Sequence, residues 1–364
     1  MKKYFAALLA VSMLAACGNS GATATATPEA TAEATAEATP EATAEATAPA
    51  AEGGLKVGVG SSTSISASDA DADKDGSVQY NTTFAGIVLD GDVIKYLYLD
   101  VAQDSVKFGV DGTLVSTADQ ATPTKREKED AYGMKSASQI GKEWFEQAEG
   151  FEQWAVGKTL DEVLNTPTEL DGKHTVATDE DLKSVTTISI DGMLAAVKAA
   201  ADNAVAVDGV AQVGVGSTTS LSMAEASADS DGNTQSNVCY AIAALDGDGK
   251  VVFVQTDVAQ NSVKFDTEGK ILGDAAVAPT KNEKQDAYGM KSASALGKEW
   301  FEQNEGFDAW CVGKTLADIT ATPTEQNGEH TVPADEDLKT VMSIDVTAHL
   351  KALDDASQNL SALN

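Results

Sequence analysis

Gly58-Val-Gly-Ser-Ser-Thr-Ser-Ile65 decides the fold, because it returns 156 positions later as Gly214-Val-Gly-Ser-Thr-Thr-Ser-Leu221. The same offset recovers Asp-Ala-Tyr-Gly-Met-Lys-Ser-Ala-Ser, which begins first at Asp130. Between Thr124–Leu160 and Thr280–Leu316, 29 of 37 positions are identical. The sequence therefore predicts a duplication with about 150 residues in each copy, and a copy of that length can bury a core of its own.

Each repeat begins with strand patterns and ends with helix patterns. In the first repeat, short β-branched stretches separated by Asp-Gly turns predict an antiparallel meander. Ile140, Trp144 and Ala148 then recur at every fourth position, which is typical of an amphipathic helix. The expected fold class is α+β, with two tandem copies of an antiparallel β-meander plus helices. The predicted strands are 56–66, 82–89, 93–101, 105–110 and 184–190, and the predicted helices are 136–149, 159–164, 191–205 and, in the second repeat, 346–363.

The amino-terminal segment predicts export and lipid anchoring. Lys2 and Lys3 precede the apolar run 4–16, which is too short to cross a bilayer as a helix. The run ends in Leu14-Ala-Ala-Cys17, the pattern after which lipoprotein processing leaves a lipidated cysteine. Residues 18–54 consist mainly of Ala, Thr, Glu and Pro, without Lys, Arg or aromatic residues, and predict a disordered stalk.

These patterns divide the chain into four expected segments and give an expected location. Two acyl chains on one cysteine make a stable anchor, so we expect an extracytoplasmic protein held on the outer face of the cell membrane. The segments are a lipoprotein signal peptide (1–17, with Cys17 as the lipidation site), the disordered stalk (18–54), repeat domain 1 (55–207) and repeat domain 2 (208–364).

The charge of the chain excludes some partners. The formal net charge is −32 and the isoelectric point is near 4.2. Nucleic acid and anionic lipid surfaces would repel such a protein, so we expect no nucleic-acid partner.

Polar residues shared by the repeats form a candidate ligand-binding face. Lysine and tyrosine around an aromatic cluster can hold a planar or anionic ligand by stacking and hydrogen bonding. The alternative is an ordinary core beneath a solvated face. The candidate ligand-binding residues are Asp100, Lys125, Lys128, Tyr132 and Lys135 in the first repeat, and Asp257, Lys281, Lys284, Tyr288 and Lys291 in the second.

Catalytic and metal-binding patterns are sparse. His174 and His330 correspond between the repeats, and each precedes an acidic stretch, 179–181 or 335–337, that could orient a general base. The alternative is a histidine in a surface loop, and we expect no catalytic residue. Asp71-Ala-Asp-Lys-Asp-Gly76 matches the opening of a calcium loop, but Thr82 stands where the twelfth-position glutamate belongs. We therefore expect a solvated turn and no metal.

Two cysteines distinguish the second repeat from the first. Cys239 and Cys311 stand where the first repeat has Thr83 and Ala155. Both sulfurs occur together in one repeat and neither occurs in the other, which suggests a disulfide of the kind that an exported location permits. Two buried thiols are the alternative.

The string from Asp130 through Gly-Lys-Glu-Trp-Phe-Glu-Gln to Val-Gly-Lys-Thr159 resembles uncharacterised lipoproteins of anaerobic Gram-positive bacteria, over both repeats. The order of meander, strand and terminal Ala-rich helix also resembles the extracytoplasmic FMN-binding domains. Those domains carry a Ser/Thr-Gly-Ala-Thr flavin attachment motif just before that helix. The corresponding stretches here are Ser184-Val-Thr-Thr187 and Thr340-Val-Met-Ser343, in which the Gly-Ala pair is replaced. This resemblance implies FMN as a candidate cofactor.

We expect a surface-anchored lipoprotein whose two duplicated domains bind a small ligand or a cell-envelope partner without catalysis. The alternative is a flavin-carrying redox lipoprotein that serves extracytoplasmic electron transfer. A hydrolase that uses His174 and His330 is a third, weaker hypothesis.

Overall fold

A computed structural model describes residues 54–117 and 122–363. The predicted signal peptide, Cys17 and the predicted stalk up to residue 53 lie outside the described residues. The expected mixture of antiparallel sheets and helices is confirmed. None of the described helices combines the length and the apolar character needed to cross a membrane.

The first half of the described chain ends at residue 207 and contains two sheets. Its elements are β1 (Leu55–Ser68), β2 (Gly76–Asp90), β3 (Val93–Phe108), α1 (Lys125–Lys128), α2 (Trp144–Ala155), α3 (Leu160–Leu164), β4 (Thr168–Asp171), β5 (His174–Ala177), α4 (Glu180–Lys183), α5 (Asp191–Asp202) and β6 (Val205–Val207), with a 3₁₀ turn at Glu129–Tyr132.

The second half repeats this order closely. Its elements are β7 (Gln212–Ala224), β8 (Gly232–Leu245), β9 (Val251–Phe265), β10 (Ile271–Leu272), α6 (Lys281–Lys284), α7 (Trp300–Cys311), α8 (Leu316–Thr320), β11 (Thr324–Asn327), β12 (His330–Pro333), α9 (Thr347–Gln358) and β13 (Ser361–Ala362), with 3₁₀ turns at Gln285–Tyr288 and Leu338–Thr340.

Each half is built on an antiparallel meander of long strands. The sheet orders are β3-β2-β1-β6 and β10-β9-β8-β7-β13. The predicted meander is confirmed, although the strands predicted at 93–101 and 105–110 are one continuous strand, β3. The strand continues because Asn81 pairs with Gln103 and Tyr80 with Asp104, so the β2 ladder runs unbroken through the supposed gap.

The two meanders pack face to face. Because side chains alternate across a strand, one face of β2 contributes Phe84 and Val88 to a core between the sheets. The other face contributes Ala85 and Ile87 to a core beneath the helices of the first half. A matching outer core lies beneath the helices of the second half. The described chain is therefore layered as helices, sheet, sheet and helices.

Corresponding positions meet across this central interface. Phe84 stacks on Tyr240, its counterpart 156 positions later, with 6.0 Å between ring centroids. Phe108 stacks on Phe265 at 4.1 Å. The contact at Gly86 is tight, since an added Cβ would lie 2.2 Å from Val215 Cγ2. Pairing of like with like is the pattern of an approximate two-fold axis.

The helix predicted at 136–149 begins later, at Trp144, and continues to Ala155. Glu143 is its N-cap, in a capping box with Glu146, and Gly141 has a φ of +65°, which stops the helix from extending backwards. Residues 136–143 form a loop instead. The helix predicted at 159–164 is confirmed, and Thr159 caps it by accepting from the Glu162 N–H.

Two further predictions are wrong in detail. The strand expected at 184–190 is an irregular segment between α4 and α5, because the Thr187 N–H donates to the Gln147 side chain rather than to a neighbouring strand. The helices expected at 191–205 and 346–363 end at Asp202 and Gln358, and the residues after them pair with β1 and β7.

Candidate functional site

Each half contains a cleft on its outer, helical side. The cleft of the first half has a volume of about 400 Å³ and that of the second about 460 Å³. Every lining position of one cleft is matched by a lining position of the other, 156 residues away. The first cleft is lined by Lys125, Tyr132, Met134, Ala137, Ser138, Gln139, Trp144, Asp171, His174, Val176, Thr187, Ile188 and Ser189.

A lysine lies over two aromatic rings in each cleft. Lys125 Nζ is 5.1 Å from the ring centroid of Tyr132 and 5.5 Å from that of Trp144. Lys281 Nζ makes the same contacts, at 5.1 Å to Tyr288 and 5.3 Å to Trp300. Within residues 54–117 and 122–363, neither ammonium has a carboxylate partner within 4.0 Å. Neither lysine is therefore held in a salt bridge by the described residues.

Burial affects the protonation of the first of these lysines. Desolvation lowers the pKa of Lys125 to about 8, although the nearby Asp100 carboxylate opposes the shift. A pKa of about 8 leaves roughly nine-tenths of the side chain charged at pH 7. The charged form is therefore poorly solvated, and an anionic group in the cleft would stabilise it.

One wall of the cleft is the loop 133–143, which α2 holds in place. Glu143 is buried, and its carboxylate accepts from the N–H groups of Met134 and Lys135, both at 2.9 Å. Gln147, which is fully buried, donates from Nε2 to Ser138 Oγ at 3.1 Å. Glu299 and Gln303 make the same bonds in the second half. These bonds explain why the loop sequence is shared by the two repeats.

Gln147 also fixes the opposite wall. Its Oε1 accepts from the Thr187 N–H at 2.8 Å and from the Thr187 hydroxyl at 3.3 Å. In the second half, Gln303 accepts from the N–H and the hydroxyl of Ser343. In each half, one glutamine therefore connects the loop to the segment before α5 or α9. The same glutamine holds the hydroxyl group of Thr187 or Ser343 at the cleft.

The paired histidines line the clefts, but the acidic stretches do not orient them. His174 and His330 begin β5 and β12 and are exposed. Asp179 instead caps α4, accepting from the Leu182 N–H at 2.9 Å, and Asp335 accepts from the Leu338 N–H at 2.8 Å. The predicted carboxylate partners of a general base thus serve as helix and turn caps.

Of the ten predicted ligand-binding residues, only Lys125, Tyr132, Lys281 and Tyr288 line the clefts. Asp100 and Asp257 are buried and secure the short helices α1 and α6. Asp100 Oδ1 accepts from the Val101 and Arg126 N–H groups, and Asp257 Oδ1 accepts from those of Val258 and Asn282. The four remaining lysines lie outside the linings of the two clefts, and they are Lys128, Lys135, Lys284 and Lys291.

Cys239 and Cys311 are both buried free thiols in this structure, so the predicted disulfide is not formed in it. Both belong to the outer core of the second half. Desolvation raises the pKa of both thiols, which keeps the sulfurs protonated. An apolar setting of this kind corresponds to the alternative of two packed thiols.

Trp144 and Trp300 are not among the predicted ligand-binding residues, although both line the clefts while being buried in the outer cores. The hairpin β4–β5 was also not predicted. The available signal was that the His-Thr-Val stretch recurs in both repeats at a point where no element was predicted.

Comparison with known proteins gives one partial match. No protein-family model and no solved structure matches the chain. Chlorophenol reductase of Desulfitobacterium hafniense is 33% identical over an alignment of 95 residues, and the match covers 23% of this chain. The match spans 29% of the length of that reductase.

Proposed function

We propose that the protein is a duplicated, surface-anchored lipoprotein that binds one planar, anionic ligand in each of its two clefts. The observation that carries this proposal is the partly buried lysine over two aromatic rings, present at the same place in both halves. An anionic group of the ligand would supply the missing partner of the ammonium. The rings would offer apolar area to the planar part of the ligand.

The preference for an anion follows from the difference in charge between the clefts and the rest of the chain. The net charge of −32 repels anions over most of the surface, so a lysine outside any salt bridge, in a partly enclosed cleft, is the favourable place for an anion to bind. The hydroxyl group of Thr187 or Ser343 and the backbone of the loop add hydrogen-bonding groups on either side.

The test is calorimetry with FMN as the probe, since FMN is planar and anionic. We expect two sites per wild-type chain, one site in Lys125→Met or Lys281→Met, and none in the double variant. Lys198→Met is the matched control, because Lys198 is an exposed lysine paired with Asp202 on α5. Native mass spectrometry of the purified protein would reveal any ligand that is already bound. Equal binding by the wild-type protein and the double variant would overturn the proposal.

A flavin-carrying redox role is the second candidate. Two observations favour it. Thr187 and Ser343, the last residues of the stretches compared with the flavin attachment motif, both line the clefts. The partially matching protein is named a reductase. A visible flavin spectrum that survives denaturation, and is lost in Thr187→Val/Ser343→Ala, would favour covalent flavin and electron transfer over simple ligand binding.

The anchoring is tested separately. Mass spectrometry of the mature amino terminus should find an acylated Cys17, and Cys17→Ser should release the protein from the membrane fraction. An intact, unacylated terminus on the mature protein would contradict this part of the proposal without affecting the clefts.

A further inference from the structure

The cleft of the second half adjoins a larger, open chamber. This chamber has a volume of about 550 Å³ and shares Lys281, Trp300, His330 and Asp345 with the cleft. Its inner lining includes the ring of His349, which is 2% exposed. The corresponding position in the first half is Met193. The chamber therefore has a polar group where the first half has an apolar side chain.

His349 is held by aromatic packing. Its ring lies 5.0 Å from the ring of Phe307 and 5.8 Å from that of Trp300, measured between centroids. Burial lowers the pKa of His349 to about 4, so the imidazole is neutral at pH 7. One ring nitrogen therefore carries a hydrogen and the other is an acceptor.

The hydrogen bonds determine which nitrogen is the acceptor. Asn304 Nδ2 donates to the Thr256 carbonyl at 2.9 Å, which turns Asn304 Oδ1 towards His349. That oxygen lies 2.9 Å from His349 Nε2 and cannot donate, so Nε2 must carry the hydrogen. Nδ1 is then a buried acceptor, and none of the described residues donates to it.

This arrangement is specific to the second half. Thr256, Asn304 and His349 replace three apolar residues of the first half, and all three are buried. A buried acceptor without a donor costs free energy, which a donor on a bound molecule would recover. The residues replaced are Leu99, Ala148 and Met193.

We propose that the chamber beside the second cleft is a subsite for a hydrogen-bond donor, a hydroxyl or N–H group on an aromatic ring, which His349 Nδ1 accepts. The ring of the ligand packs beside Trp300, and the two clefts consequently differ in their preference for a ring that carries such a donor. This inference rests on the proposed function, since it assigns a second recognition element to one of the two binding clefts.

The test compares phenol with anisole, which has the same ring but lacks the O–H donor. Titration at pH 6.5, followed by amide NMR shifts of Thr347 and Cys239, should show phenol binding about tenfold more tightly than anisole in the wild-type protein. In His349→Met, the residue of the first half, this preference should disappear. Equal binding of the two probes, a preference that persists in His349→Met, or binding of neither probe would overturn the subsite.

Two controls keep the result interpretable. The variant Thr256→Leu/Asn304→Ala/His349→Met restores the whole apolar set of the first half and replaces the single variant if that one does not fold. Nitrogen-15 spectra of the wild-type imidazole should show hydrogen on Nε2 and a phenol-induced shift at Nδ1. Equal binding of phenol and anisole by the wild-type protein, with FMN binding still dependent on Lys281, would reject the subsite alone, whereas FMN binding insensitive to both lysines would reject the proposed function.

Discussion

The two halves keep the same cleft walls but differ in the core beneath them. In the first half, the buried Glu152 is paired with Arg126 at 2.5 Å, and Arg126 also stacks on the Tyr98 ring at 4.4 Å. In the second half, the corresponding carboxyl is Asp308, and Asn282 stands in place of the arginine. Burial raises the pKa of Asp308 well above its ordinary value, and its carboxyl accepts from the Thr256 N–H. The first half therefore pairs this acid with a cation, whereas the second half holds it by hydrogen bonding without an arginine.

This contrast shows which parts of the site tolerate change. Glu143, Gln147 and their counterparts build the loop, and the repeats retain them without substitution. Beneath the walls, the first half has an ion pair and apolar packing, whereas the second half has a hydrogen-bonded network of Thr256, Asn304, Asp308 and His349. The cleft walls therefore depend on hydrogen bonds between side chains and the backbone that few other side chains could make. The core, in contrast, can be built from different sets of residues.

The largest expected effect comes from removing the arginine that only the first half has. Arg126→Met removes the cation and leaves Glu152 buried without its partner, which should lower the free energy of unfolding by about 4 kcal/mol. Denaturant unfolding measures the loss. Asn282→Met should cost much less, because Asn282 forms no ion pair with Asp308 and bonds instead to the Thr256 carbonyl. Arg126→Met/Glu152→Met should recover most of the loss, and no recovery would contradict the ion-pair account.

Because both halves hold the loop by the same hydrogen bonds, we expect equal losses of stability when these bonds are removed in either half. Glu143→Ala and Glu299→Ala each leave two loop N–H groups without an acceptor, so each should destabilise the protein by about 3 kcal/mol. Hydrogen exchange should also become faster at residues 134 and 135, or at 290 and 291. Exposed Glu180→Ala is the control. A loss confined to one half would show that the two walls are not held in the same way.

The buried, neutral imidazole of His349 predicts a pH dependence of stability that the first half lacks. The ordinary pKa of histidine is about 6.5, and that of folded His349 is lowered to about 4. Between these values the unfolded chain binds the proton and the folded chain does not, so stability falls as the pH drops. From pH 7 to pH 5 the wild-type protein should lose about 2 kcal/mol more than His349→Met. Parallel pH profiles of the two proteins would contradict the neutral buried imidazole.

The smallest expected effect concerns the N-caps of α3 and α8. Thr159 and Thr315 each accept from the N–H three residues on, within capping boxes. Replacing either by alanine should cost about 1 kcal/mol, measured by thermal unfolding. Serine at the same positions should retain most of the stability, and a loss with serine equal to that with alanine would argue against capping.

Local patterns predicted much of this fold and less of the site. The meander and the Thr159 cap follow from neighbouring residues, and Lys125 and Tyr132 stood out because both repeats retain them. Residues 136–143 were assigned to a helix because Ile140 fits its period, yet the Glu143 carboxylate and Gly141 impose a loop. The hairpin β4–β5 has exposed or partly buried side chains and so carries no strong hydrophobic pattern. The joining of the walls by Gln147 spans 40 residues and has no local signature.

The face-to-face packing of the meanders determines where the two proposed binding clefts lie on the described chain. Since the central core occupies the inner faces of both sheets, the two clefts open on opposite sides of the body. No small molecule can reach from one opening to the other. If the clefts bind as we propose, a bulky carrier of the ligand would occupy only one of them, and one chain would bridge two such carriers.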